Sequence, residues 1–117
     1  MEMSSAIAAL SALAHGGRLT IFRRLVQAGP EGMAAGALAR SVGVAPNTLS
    51  NSLTVLSHAG LVAARRDGRS IIYTAAYGRM SALLSFLLQD CCNRSPEICS
   101  PLFEVIQTAC CTPLTKV

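Results

Sequence analysis

The sequence predicts a mainly α-helical domain of five helices, with one β-hairpin inserted before the last helix. Three observations predict this fold class. Apolar residues recur at helical spacing in several segments, and Gly or Pro residues separate those segments. Two β-rich runs joined by an Asp-Gly pair lie between the fourth and fifth helical segments. The length of 117 residues suits one domain and excludes large catalytic folds such as barrels.

Two helices are predicted in the N-terminal part of the chain, over residues 4–14 and 18–28. Residues 15–17 separate them, and Gly29 with Pro30 ends the second helix. The first helix carries one apolar face, made of Ile7, Leu10, Leu13 and Ala14. In the second helix the residues predicted to point inward are Leu19, Phe22, Leu25 and Val26. The residues predicted to face outward there are Arg23, Arg24 and Gln27.

The next segment has the pattern of a helix-turn-helix. A short helix is predicted over residues 33–41, a tight turn over 42–45 and a longer helix over 46–59, where Pro46 suits the first helical position. The side chains that would pack on the preceding helices are Leu49, Leu53 and Leu56. The polar residues left exposed near the start of this helix are Asn47, Thr48, Ser50, Asn51 and Ser52. In helix-turn-helix proteins this second helix, the recognition helix, enters the major groove of DNA.

A basic hairpin and a last helix complete the fold. Strands are predicted over residues 61–66 and 70–74, joined through Asp67 and Gly68, a pair that tolerates the positive φ of a tight turn. A hairpin in this position is a wing, so the fold class is a winged helix-turn-helix. The helix predicted over residues 79–90 has a wide apolar stripe, formed by Met80, Leu83, Leu84, Leu87 and Leu88. The core is too small to cover this stripe and the first helix as well, so we predict a two-fold dimer through the N- and C-terminal helices.

The charge distribution predicts a polyanion-binding module. Between residues 18 and 79 eight arginines stand against two carboxylates, Glu31 and Asp67. All but one of the ten cations of the chain are arginines, which suit bidentate contacts to phosphate or guanine. On the wing, Arg65, Arg66 and Arg69 are the candidates for gripping phosphates or entering the minor groove.

The N-terminal segment does not have the pattern of a membrane or export signal. The uncharged run at the N-terminus, residues 3–17, is shorter than the ~18 to 20 apolar residues of a membrane span and contains polar residues. Glu2 precedes it and no Lys or Arg does, so the cationic leader of a signal peptide is missing. We therefore expect a cytoplasmic protein with no membrane contact.

The segment AGALARSVGVAPNTLSNSLTVLSHAGLVAARRDGRSIIYTA resembles the ArsR/SmtB family of bacterial winged-helix metalloregulatory repressors. The similarity covers about residues 7–90 and is most specific at residues 50–53, at HAGLV (58–62) and at RRDGR (65–69). The resemblance implies a homodimer that represses its own operon on double-stranded DNA until an inducer binds. It also implies that base edges are read by Asn47, Thr48, Ser50 and Asn51. We expect residues 1–90 to form the DNA-binding and dimerisation domain, and residues 91–117 a cysteine-rich inducer-binding tail.

Two inducer sites known in the family are not supported by this sequence. Several members bind their inducer through cysteines at positions that Ala34, Gly36 and Ala39 occupy here. The zinc site on the last helix needs paired histidines and carboxylates, whereas His15 and His58 are the only histidines of the chain. Both histidines are interpreted as structural residues. The inducer chemistry is therefore expected elsewhere.

All five cysteines lie between positions 91 and 111, and four of them form two adjacent pairs. The motif DCCNRSPEIC contains Cys91, Cys92 and Cys99 without a nearby histidine, which suits trivalent arsenic or antimony bound by three thiolates. The motif also resembles the C-terminal cysteine triad of a subset of arsenite-responsive ArsR proteins. We predict that As(III) or Sb(III) bound at these three residues is the inducer.

The sequence leaves several alternatives open. A methylated arsenical needs only Cys91 and Cys92, and a redox sensor would join one of these two to Cys99 or to the second pair in a disulfide. Cys110 and Cys111 form that second pair. Three roles stay open for it: a second thiol site, thiolate ligands supplied by the partner subunit, or no role. In a further alternative the thiols have no sensing role.

The sequence also bears on two other function classes. A winged-helix domain can also serve protein assembly without binding DNA. An enzyme is not expected, because no phosphate loop or carboxylate pair is present.

Overall fold

The structure is a computed structural model that describes residues 1–89 together with Pro101, Glu104 and Val105. Contacts between Cα atoms divide the chain into the units Met1–Phe86 and Leu87–Val117, and the first unit is described below. The elements in chain order are α1 (Met3–Leu13), α2 (Gly16–Ala28), β1 (Met33–Ala34), α3 (Ala35–Val42), α4 (Pro46–His58), β2 (Val62–Asp67), β3 (Ser70–Ala75) and α5 (Tyr77–Leu88). In this part of the chain the predicted winged helix-turn-helix, with five helices and a hairpin wing, is confirmed.

The hydrophobic core is centred on α2, which contacts α1, α3, α4 and β3. The largest fully buried side chains come from α2, α3, α4 and the short segment after α4: Ile21, Leu25, Leu38, Leu49, Leu56 and Leu61. Burying a side chain of this size contributes roughly 1.5–3 kcal/mol. The predicted inward positions of α4 are confirmed, because Leu53 is buried as well. No helix of residues 1–89 is long and apolar enough to cross a membrane.

The first helix packs on the core through a different face from the predicted one. Its buried residues are Ala6, Ala9 and Ala12, whereas Ile7 is 56% exposed and Leu10 is 42% exposed. Small alanine side chains let α1 approach α2 and α4 closely, and the larger side chains then point away from the core. The apolar face of Ile7 and Leu10 is therefore a free surface of this unit.

The start and the phase of α2 also differ from the prediction. The helix begins at Gly16 rather than Arg18, because the Nδ1 atom of His15 accepts a hydrogen bond from the Arg18 backbone N–H at 3.4 Å. This contact caps the first turn, so the structural interpretation of His15 holds. The prediction that Leu19 points inward is wrong, since this residue is 41% exposed while Ile21 is 1% exposed. Leu19 falls outside the buried stripe that the i, i+4 spacing of Ile21 and Leu25 defines.

Met33 and Ala34 form a strand instead of the first turn of the predicted helix over residues 33–41. They pair antiparallel with Tyr73 and Ile72, which extends the wing to a three-stranded sheet in the order β1-β3-β2. The partner strand lies far along the chain, so the helical propensity of Met and Ala does not reveal this pairing. The helix α3 accordingly starts at Ala35 and ends at Val42.

The hairpin and α5 are shifted slightly from their predicted bounds. Asp67 pairs with Ser70, so Gly68 and Arg69 form the two-residue turn in place of the predicted Asp67 and Gly68. The last helix begins at Tyr77, because the Met80 N–H bonds to the Ala76 carbonyl at 3.0 Å. Along that helix, Leu83 is buried and Leu84 is 48% exposed, so the unit covers the predicted apolar stripe only in part.

The loop before β1 requires a glycine at position 32. Gly32 has φ +75°, and a Cβ built on it would collide with the Tyr73 carbonyl oxygen and lie 2.6 Å from Thr74 Cγ2. We expect Gly32→Ala to lower the free energy of unfolding by roughly 2–4 kcal/mol, because left-handed strain adds to displacement of the β3 backbone. Urea unfolding at fixed protein concentration measures the loss.

Gly43→Ala is the matched control for this substitution. Gly43 has φ +74°, but a Cβ there would meet nothing within 4 Å, so only the backbone strain of about 1–2 kcal/mol applies. Equal losses in the two variants would contradict a steric role for Gly32.

Candidate nucleic-acid interface

The orientation of α4 is set by the turn that precedes it. Gly43 ends α3 in the left-handed conformation, with φ 74° and ψ 39°, and its N–H bonds to the Ala39 carbonyl at 2.9 Å. The chain then reverses through Ala45 into Pro46 at the start of α4. A glycine is favoured at the first of these positions because residues with a Cβ rarely adopt positive φ. The turn therefore fixes the angle between the two helices of the helix-turn-helix.

One face of α4 is buried and the opposite face is polar. The buried residues are Leu49, Ser52, Leu53 and Leu56. The prediction that Ser52 is exposed is wrong: it is 9% exposed, because it lies on the same helical face as Leu49 and Leu56. The predicted base-reading residues Asn47, Thr48, Ser50 and Asn51 are all exposed.

The exposed face keeps polar groups available for a ligand. Asn47 Oδ1 accepts the Thr48 backbone N–H at 3.0 Å, and the Thr54 hydroxyl donates to the Ser50 carbonyl at 2.9 Å. Within residues 1–89, no hydrogen bond occupies the hydroxyl groups of Thr48 and Ser50 or the side-chain amide of Asn51. Short hydroxyl and amide side chains of this kind can bond to base edges.

The three predicted wing arginines occupy different positions in the structure. Cross-strand pairs place Arg66 opposite Ile71, on the sheet face of the buried pair Val62 and Ala75. Arg65 lies on the other face, where its Nη2 atom donates to the Glu31 carbonyl at 3.0 Å. Arg65 therefore ties the wing to the turn before β1, whereas Arg66 lies on the face that packs toward α4.

Arg69 occupies the second position of the hairpin turn and is exposed. Within residues 1–89, neither Arg66 nor Arg69 donates a hydrogen bond to another residue. Both guanidinium groups are therefore available to an anion in solution. One cation thus lies in the hairpin turn and the other on β2 near that turn.

A polar groove of about 280 Å³ lies between α4 and the wing. It is lined by Ser50, Leu53, Thr54, Ser57, His58 and Tyr73. The sequence interpretation treated His58 as a surface or capping residue and did not assign Ser57 or Tyr73. The i, i+4, i+7 spacing of Ser50, Thr54 and Ser57 was the available signal, but only the packing of the wing against α4 through β2 brings Tyr73 of β3 to the same groove.

Two other arginines, Arg18 and Arg79, make contacts within the fold. The Arg18 Nε atom donates to the Ala12 carbonyl at 2.7 Å and thereby caps the end of α1. The Arg79 guanidinium lies against Gly60, such that a Cβ on this glycine would be 2.7 Å from Arg79 Nε. Residues 1–89 contain eight arginines and three carboxylates, so positive charge remains in excess. The unit presents this excess to anionic partners.

The predicted inducer ligands lie outside the described residues. These are Cys91, Cys92 and Cys99, together with the additional thiols Cys110 and Cys111. In the part of the chain that the structure describes, no three His, Cys, Asp or Glu side chains are grouped in a way that could hold a metal ion. Of the residues described after position 89, Pro101, Glu104 and Val105 are helical and exposed.

Comparisons with known proteins place the fold among transcriptional regulators. The family model of a helix-turn-helix domain matches residues 13–65. The nodulation protein NolR of Rhizobium meliloti is 40% identical over 78 residues, which cover 67% of this chain and 62% of NolR. The chain thus spans less than two thirds of the length of this curated relative.

Two solved structures extend the comparison. The homodimeric winged helix-turn-helix domain Mb0332 from Mycobacterium bovis, described as a possible ArsR-family transcriptional regulator, is 32% identical with a TM-score of 0.60. The match covers 75% of this chain and 82% of that domain. An ArsR-like transcriptional regulator from Rhodococcus sp. RHA1 has a TM-score of 0.68 at 20% identity, covering 92% of this chain and 93% of that one, which shows a common fold.

Proposed function

The chain belongs to the ArsR family of winged helix-turn-helix transcriptional regulators, and on that premise we propose that it is a cytoplasmic, homodimeric repressor of an arsenic-resistance operon. The two solved structures similar to this chain are described as transcriptional regulators, which agrees with the expectation that the chain is not an enzyme. The observation that carries the proposal is the exposed polar end of α4 beside the cations of the wing. These two surfaces match the two parts of a DNA site, base edges and phosphates.

In the proposed complex α4 lies in the major groove of operator DNA. Asn47, Thr48, Ser50 and Asn51 read base edges, since their side chains are exposed at the start of the helix. Arg66 and Arg69 bind phosphates or enter the minor groove beside the wing. Arg65 contributes less to DNA affinity than the other two, because its guanidinium is bonded to the Glu31 carbonyl.

The homodimer is proposed to form through α1 and α5. Ile7 and Leu10 expose about half of their surface on α1, and Leu84 does so on α5. Exposed apolar side chains that recur on two terminal helices favour burial against a second copy. The homodimeric state of Mb0332 supports this assignment. A two-fold axis would present two recognition helices at a spacing near one turn of DNA, ~34 Å.

The inducer is proposed to be trivalent arsenic or antimony held by Cys91, Cys92 and Cys99. The support is the chemistry of the donor set, since soft ions prefer thiolates and no histidine lies near these cysteines in the sequence. The cysteines of residues 91–117 follow shortly after α5, which ends at Leu88. Because residues 1–90 are proposed to dimerise through this helix, a ligand bound just beyond it can change the spacing of the recognition helices.

Phosphate contacts of the wing can be tested through the salt dependence of DNA binding. We expect Arg66→Gln or Arg69→Gln to reduce the steepness of log Kobs against log [salt] by about one per lost contact, hence about two per dimer. Arg65→Gln is the matched control and should change this slope less. Fluorescence anisotropy on promoter DNA between about 50 and 200 mM salt measures it. Binding that is insensitive to salt would contradict the DNA interface and favour an assembly module.

The proposed dimer interface can be tested at Leu84. We expect Leu84→Asp to weaken self-association on the order of 100-fold, because two-fold symmetry buries two new carboxylates at once. Ile71→Asp is the control, since Ile71 is also exposed but lies on the wing. Analytical ultracentrifugation over a concentration series gives both association constants. Unchanged association of the Leu84 variant would exclude α5 from the interface.

The proposed inducer site can be tested by release of the protein from DNA. We expect arsenite to release the reduced protein from promoter DNA and Zn(II) not to do so. The single variants Cys91→Ser, Cys92→Ser and Cys99→Ser should each abolish the arsenite response, while Cys110→Ser and Cys111→Ser serve as controls. Retention of a methylarsenite response in Cys99→Ser would place the site on the adjacent pair alone. Release by mild oxidation without metalloid, through a reversible disulfide seen by mass spectrometry, would instead identify a redox sensor.

A further inference from the structure

We propose that a second cavity, between α2 and the end of α3, binds a phosphate group. The cavity has a volume of about 270 Å³ and is lined by Thr20, Arg23, Arg24, Gln27, Ser41 and Val42. Its lining residues come from these two helices alone, so it is separate from the groove between α4 and the wing. This assignment stands independently of the proposed repressor function.

One arginine of this cavity is held in place by the fold. Arg24 is half-buried on α2, and its Nε atom donates to the Ser41 hydroxyl on α3 at 2.7 Å. This bond uses one of the five N–H donors of the guanidinium and fixes the plane of the group. The terminal N–H groups then remain for a ligand with paired oxygens, which a phosphate supplies.

Within residues 1–89, no carboxylate compensates the positive charge of the cavity. Arg23 and Arg24 are adjacent in sequence and line the same cavity, and no carboxylate lines it. The carboxylates of residues 1–89 are Glu2, Glu31 and Asp67, and none of them is on α2 or α3. Two positive charges that line one cavity repel each other, and an oxyanion bound in the cavity reduces this cost.

The remaining polar groups suit the same ligand. The side-chain amide of Gln27 offers N–H donors, whereas the Thr20 hydroxyl already donates to the Gly16 carbonyl at 2.8 Å. The cavity volume equals that of roughly nine water molecules and therefore exceeds the volume of one phosphate ion. A phosphate of the DNA backbone and a small phosphorylated ligand both have this chemistry, and the experiments below distinguish these two sources.

The first experiment needs no DNA. We expect pyrophosphate, added to the reduced full-length protein in chloride buffer, to cause saturable shifts of the backbone amide NMR signals of Arg23, Arg24 and Ser41. Arg24→Gln should weaken this binding roughly tenfold and Ser41→Ala about threefold, because the first removes the charge and the second its orientation. Arg40→Gln is the matched control with the same charge change, since Arg40 does not line the cavity, and it should change binding less than about twofold.

The second experiment identifies the source of the phosphate by measuring the salt dependence of promoter binding for Arg24→Gln and Arg40→Gln. A slope lowered by about one per subunit only in Arg24→Gln assigns the site to the DNA backbone. An unchanged slope, with pyrophosphate binding lost, assigns it to a small phosphorylated ligand. The absence of saturable binding to the wild-type chain, or an equal loss in Arg40→Gln, would overturn the proposal. Thermal unfolding of each variant shows whether its fold is retained.

Discussion

The packing of α2 in the centre of the unit is the contact on which the rest of the structure depends. Ile21, Phe22 and Leu25 are buried where this helix meets α1, α3, α4 and β3. Every element that carries an exposed polar or basic side chain of the candidate interface therefore rests directly or indirectly on the same helix. The side of α2 that is not buried carries the arginines of the second cavity. A single helix thus organises the core with one face and presents charge with another.

The helix α4 shows how burial on one face determines chemistry on the other. Its leucines and Ser52 occupy the inner face, so Thr48, Ser50 and Asn51 remain exposed, and their side-chain hydroxyl and amide groups make no hydrogen bond within residues 1–89. The sheet beside it divides the wing arginines by the alternation of strand residues. Arg65 stabilises the turn before β1 through the Glu31 carbonyl, while Arg66 and Arg69 stay available to a ligand. Charge count alone would have treated the three as equivalent.

The start of α5 contacts both α2 and the end of α4. The Tyr77 hydroxyl donates to the Val26 carbonyl of α2 at 3.2 Å, and Arg79 lies against Gly60 just after α4. The Arg79 contact joins the proposed dimer helix directly to the end of the proposed recognition helix, and the Tyr77 bond joins it to α2, which packs on α4. A displacement of α5 would therefore be transmitted to α4, because packed side chains move together rather than deform. This arrangement is a physical basis on which the proposed inducer could act on DNA affinity.

The sequence by itself determined the order and type of the helices, the hairpin wing and the polar leading end of α4, because these follow from local periodicity and turn residues. It also indicated the basic character of the middle of the chain. Only the tertiary structure decided that Met33 and Ala34 form a strand, since their partners Tyr73 and Ile72 are distant in sequence. The same holds for the alanine face of α1, for the exposure of Leu19 and for the burial of Ser52. In each case the neighbours that surround a side chain, and not its own type, determine whether it meets the core or the solvent.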